Sequence, residues 1–141
     1  MTGPMSLQTL ARAAAVCACV LAPWAAPAQT PVLAPSMKTM GAARYVCGGV
    51  GAEESNAMRA AMKDHPLSLL FARASGAYLA DVDVTVKDAQ GGTALAMRAD
   101  GPVCLVDLPA GRYTVEAASE GVSKTQVVSL GEGSKVADFR F

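Results

Sequence analysis

Histidine occurs once in this 141-residue chain, tryptophan once, and aromatic residues make up only 5%. One imidazole cannot build a multi-histidine metal centre, and a Ser-His-Asp set would have to rest on His65 alone. No hydrophobic run reaches the roughly twenty residues that a membrane-spanning helix needs. Basic and acidic side chains balance at 12 each, and neither sign forms a run. That distribution offers no basic patch to nucleic acid or anionic lipid. Cysteine is scarce at four, and Cys17 and Cys19 fall near the start of the chain.

The start has the layout of a secretory signal over residues 1–28: Arg12, an apolar run over 13–22, and Ala26-Pro27-Ala28 as a small-x-small cleavage site. The expected mature chain begins at Gln29 and is periplasmic or secreted. A competing reading takes Val16-Cys17-Ala18-Cys19 as a lipidation box with Cys19 acylated, which would tether the protein to a membrane. Removing the signal discards Trp24 and much of the 52% hydrophobic content. Roughly 110 residues remain, enough for one modest core and too few for two. Two cysteines, Cys47 and Cys104, then enter an oxidising compartment, and a disulfide between them is expected. The alternative is two separately buried thiols.

Residues 29–42 contain Pro31, Pro35 and Gly41 without apolar periodicity and read as a flexible leader to a single domain over 43–141. A short strand over 44–47 runs into Gly48-Gly49-Val50-Gly51 and a helix over 52–64, with Glu53 and Glu54 at its positive end and Lys63 at its negative end. The apolar stripe of the helix is Met58, Ala61, Met62 and His65. It packs on a sheet, or Met58, Met62 and His65 hold copper with help from Met37 or Met40. The glycine turn before the helix invites a phosphate reading, but no P-loop Lys-Ser/Thr follows it. From Pro66 onward the chain is nearly all β. Leu67, Leu69 and Phe71 alternate with Ser68, Leu70 and Ala72, Val82, Val84 and Val86 with Asp83, Thr85 and Lys87, and Tyr113, Val115 and Ala117 with Arg112, Thr114 and Glu116. Glycine turns separate six or seven such strands, the pattern of an antiparallel β-sandwich with one N-terminal helix packed on it.

The stretch Ala80-Asp81-Val82-Asp83-Val84-Thr85-Val86-Lys87-Asp88, followed by Leu105-Val106-Asp107-Leu108-Pro109-Ala110-Gly111-Arg112-Tyr113-Thr114-Val115, resembles the carboxypeptidase regulatory-like domains of the transthyretin-like (prealbumin-like) sandwiches. The similarity covers residues 76–141; the prefix over 43–75 resembles the front of small exported proteobacterial proteins that carry this domain. The resemblance implies that Val103, Leu105 and Leu108 point inward and that Cys104 lies on the opposite face. There its bond to Cys47 would pin the prefix over the outside of the sandwich. The metallo-carboxypeptidases that lend the domain its name keep catalysis in a separate domain, absent from this sequence. The related hydrolases of purine breakdown use several His residues and a C-terminal Tyr-Arg-Gly-Ser, where this chain has Asp138-Phe139-Arg140-Phe141. Adhesin-type repeats form a lysine isopeptide bond, but Lys87 and Glu116 alternate onto the outward face.

Three classes of function follow. The first is a non-catalytic, cofactor-free binding or structural module contacting a protein or envelope polymer. The second is a copper-handling protein using Met58, Met62 and His65, and the third a small hydrolase with an unrecognised site.

Overall fold

A computed structural model describes residues 36–141 and, ahead of them, only Gly3, Pro23 and Ala26. The signal, the cleavage point before Gln29, the acylation reading at Cys19 and the start of the leader lie outside the described residues. The described chain is mainly β, with nine strands in two sheets: β1 (Lys38–Met40), β2 (Ala43–Gly48), β3 (Leu67–Ala72), β4 (Val82–Lys87), β5 (Thr93–Ala99), β6 (Val103–Asp107), β7 (Gly111–Ser119), β8 (Val122–Leu130) and β9 (Lys135–Arg140). The first sheet has the order β1-β2-β6-β3-β9 and the second β5-β4-β7-β8. Helix α1 (Ala52–Ala61) continues as a 3-10 turn (Met62–Asp64), so the expected helix over 52–64 is present with a tightened last turn. No helix among the described residues is long and apolar enough to cross a membrane.

Nine strands, not six or seven, make up the sheets. The seven past Pro66 are joined by β2, and by β1, which pairs with β2 from within the expected leader. The sandwich is also not wholly antiparallel: β3 and β9 run parallel, with Phe71 opposite Phe139. These strands are remote in sequence and joined by no hairpin, so nothing local fixes their relative direction.

The alternating residues of β4 and β7 meet those of β3 and β9 between the sheets, where Val82, Val86, Val115, Phe71 and Ala137 are all fully buried. A second, smaller apolar layer lies under the helix, where Met58 packs on Val46, Val103 and Leu105. This layer corrects the facing of β6. Cys104, Val106 and Leu108 point into the sandwich, while Val103 and Leu105 point at the helix. Because β6 is covered on both faces, its apolar run lacks the alternation that would reveal which side is which. The disulfide between Cys47 and Cys104 therefore sits inside the sandwich. It links directly opposed residues of neighbouring strands β2 and β6, Cα atoms 4.1 Å apart, with Met97 Sδ 3.8 Å from Cys47 Sγ. It does not pin the helix over the outer face; the Met58 layer holds the helix there.

Gly101, in the β5–β6 turn, is required by close approach. A Cβ at this position would fall 2.3 Å from Gly48 O and 2.6 Å from Gly48 C, both backbone atoms that cannot rotate away. Gly101→Ala is expected to destabilise by about 1–3 kcal/mol, the usual range for overpacking, read as a lower urea midpoint with unchanged slope. An unchanged midpoint would show that the turn can shift.

At the opposite end, the Leu108-Pro109-Ala110-Gly111 turn is fastened by Tyr113, whose hydroxyl donates to Pro109 O at 2.8 Å. Burial, and secondarily the negative charge of Asp88, push the phenol pKa above its ordinary 10.0. The unfolded phenol therefore ionises first as pH rises. The stability this proton provides is complete below about pH 10 and is lost as pH climbs toward the folded value. Tyr113→Phe should lose less stability than wild type over that alkaline range; parallel loss in both proteins would remove Tyr113 as the cause.

Candidate functional site

The connections at one end of the sandwich carry the exposed chemistry of the domain. The β3–β4 connection folds back on itself: Arg73 N–H donates to Ala77 O at 2.7 Å, Gly76 N–H to Arg73 O at 2.8 Å, and Tyr78 bridges to Ala72. Leu79 is buried beneath, its N–H donating to Phe71 O. This turn forms a ridge between two concavities.

On one side, an open cleft of about 530 Å³ is walled by Arg73, Asp81, Asp83, Arg98 and Glu120. Arg73 grips Glu120 in a two-pronged pair at 3.0 and 3.2 Å. The guanidinium holds the Glu120 carboxyl below its usual range, chiefly through those hydrogen bonds and then through charge. The clasp is thus intact at neutral pH and releases only on acidification below the ordinary carboxylate value. Arg98 stands between Asp81 at 3.6 Å and Asp83 at 3.8 Å, looser contacts that leave its donors partly unspent. Asp81 and Glu120 both have positive φ, 59° and 50°. Asp adopts this region more readily than most residues, and Glu120 does so as the first central residue of a two-residue hairpin turn with Gly121.

On the other side, a hollow of about 260 Å³ is lined by Gly49, Val50, Tyr78 and Pro102 among others. Val50 and Tyr78 are 66% and 57% exposed, high values for large apolar side chains. The guanidinium of Arg59 lies over the Tyr78 ring, 5.1 Å from its centroid, and also donates to its hydroxyl. Helix α1 thereby reaches across to the ridge.

The residues singled out in the sequence lie elsewhere. Met58 is 5% exposed in the helix–sheet layer, and Met62 and Met37 pack against the same layer. His65 is directed to a different partner, its Nδ1 2.6 Å from Asp107 Oδ1 at the end of β6. The structure therefore sets three methionines against one apolar layer and leaves the imidazole on a carboxylate. Among the described residues no group of three or more His, Cys, Asp or Glu side chains is arranged to hold a metal ion. The glycine turn that invited a phosphate reading binds the chain's own anion: Gly49 N–H donates to Glu54 Oε1 at 2.9 Å. Lys87 and Glu116 are both exposed, as the alternation of their strands requires. No protein-family model matches the chain, and no curated protein matches it.

Proposed function

We propose that this chain is an exported, non-catalytic binding or structural module, a transthyretin-like sandwich of the carboxypeptidase regulatory-like type. It contacts a protein or envelope polymer of the periplasm or extracellular space through the loop end built around Arg73–Asp81. The observation that carries this reading is the gathering, at one end, of five charged side chains from separate segments beside the exposed Val50 and Tyr78. Exposed ion pairs contribute little to stability, and large apolar groups held out in loops cost solubility, so their concentration on a rigid scaffold favours contact with a partner. The Leu-Pro-x-Gly-x-Tyr turn closed by Tyr113 on Pro109 supports the family assignment, and the enclosed disulfide supports an oxidising compartment.

A photo-crosslinking amino acid placed at Tyr78 tests the reading in intact cells. The expected result is one discrete adduct, weakened by Val50→Ser and absent when the same group is placed at Thr85 on the open face of β4. Equal labelling from Tyr78 and Thr85, or none, would sink it. The copper-handling alternative draws support from the convergence of Met37, Met58 and Met62 on one layer. Saturable Cu(I) binding, lost in Met58→Leu/Met62→Leu, would favour that alternative.

A further inference from the structure

The two long sides of the sandwich are seams between sheets, because the first sheet ends on β1 and β9 and the second on β5 and β8. A side chain-to-backbone hydrogen bond crosses each seam. On one side Gln126 Nε2 of β8 donates to Asp138 O of β9 at 2.6 Å. On the other, Met40 Sδ of β1 accepts from the edge N–H of Ala96 on β5 at 3.4 Å. The first bond joins an amide to a carbonyl, whereas the second ends on a thioether, a weak acceptor. It is also the seam with less behind it, since β1 has three exposed residues and pairs with β2 alone.

That weak acceptor is also the sulfur an oxidant meets first. Met37, Met40, Met58, Met62 and Met97 fall among the described residues. Met58 and Met97 are 5% and 9% exposed, and Met37 and Met62 are partly covered against the helix layer. Met40 is 41% exposed. A peroxide must reach a sulfur lone pair to react, so shielding ranks Met40 ahead of the other four. What the added oxygen does next depends on its surroundings. On Met58 or Met97 it would be a polar atom buried in apolar packing, whereas at Met40 an N–H donor already points at the sulfur.

We propose that Met40 is an oxidation site at which sulfoxide formation tightens the seam between β1 and β5. Hydrogen peroxide transfers one oxygen to Sδ: its O–O bond breaks, an S–O bond forms, the sulfur gives up two electrons and the remaining oxygen leaves as water. The sulfoxide oxygen lies one bond beyond the sulfur and accepts a hydrogen bond more strongly than the thioether does. With Sδ 3.4 Å from Ala96 N, a small rotation of the flexible side chain brings that oxygen to about 2.9 Å from the donor. The protein thus keeps its fold under peroxide and gains a firmer seam, and enzymatic reduction of the sulfoxide restores the thioether.

Peptide mapping of the purified, disulfide-bonded protein after graded hydrogen peroxide treatment reads the site, and Met40 should be converted well before Met58 or Met97. Amide hydrogen exchange at Ala96, followed by NMR, reads the consequence. It should slow about 3–10-fold once Met40 is oxidised, the range expected for one improved neutral hydrogen bond. Met40→Gln sets an amide oxygen at similar reach and should slow that exchange without peroxide. Met40→Leu removes the acceptor, and should speed the exchange and abolish its response to peroxide. Met58 or Met97 oxidised as fast as Met40, exchange at Ala96 unchanged or faster in the Met40 sulfoxide, or a Met40→Leu protein in which peroxide still slows Ala96 would each overturn the proposal. None of these readouts depends on what the loop end binds.

Discussion

Removing the disulfide, by Cys47→Ala/Cys104→Ala or by reduction, is expected to lower stability by up to about 4 kcal/mol. The bond closes a loop spanning 57 residues, which includes α1, β3, β4 and β5, so the unfolded chain loses much of its freedom when the bond is present. The folded side of the balance changes less. Cys104 is fully buried between the sheets, and β2 and β6 remain hydrogen-bonded along Arg44–Gly48 without it. Urea unfolding of wild type with and without dithiothreitol, beside the double variant, measures the difference. Reduced wild type and the variant should coincide, both well below the oxidised protein. An oxidised midpoint equal to the reduced one would mean that the unfolded chain is restrained by other means.

Phe71→Ala is expected to cost about 3–5 kcal/mol. Phe71 and Phe139 are both essentially inaccessible, stacked with centroids 5.8 Å apart and an interplanar angle of 23°. Removing one ring deletes the apolar burial, the aromatic pairing and the support of the other ring together. Collapse into the space is resisted because β3 is held on both sides, by β6 and by β9. Val127→Ala, on the open face of β8, should change stability by less than about 0.5 kcal/mol. Thermal or urea unfolding of the two variants gives the comparison, and similar midpoints would show a core able to close around the loss.

The parts of this architecture that were legible are those where burial is one-sided. Val82, Val84 and Val86, and Tyr113, Val115 and Ala117, alternate because one face of their sheet meets the other sheet and the opposite face meets water. Where both faces are covered the signal vanishes, and Val103-Cys104-Leu105-Val106 could not show that the disulfide lies inward. β1 gave no signal of another kind: Lys38, Thr39 and Met40 are all exposed, and they form a strand because β2 offers an edge. The loop-end cleft was hidden by distance along the chain. Arg73, Asp81, Arg98 and Glu120 share no motif, and their grouping exists only once the turns are stacked at one end. Tyr78, a large aromatic in a glycine-containing connection, was the one local sign. Conversely Met58, Met62 and His65 looked like a set because helical spacing is easily read, while the Asp107 that takes His65 sits on a remote strand.

The parallel pairing of β3 with β9 orders events during synthesis. A ribosome delivers β3 long before β9, and until β9 emerges the first sheet lacks an outer strand, Phe71 lacks its stacking partner, and the Leu79 ridge rests on an open edge. No early portion of the chain can lock into the finished domain ahead of that moment. Completion of the first sheet therefore waits for β9, the slow long-range step beside the local β4–β5 and β7–β8 hairpins of the second sheet.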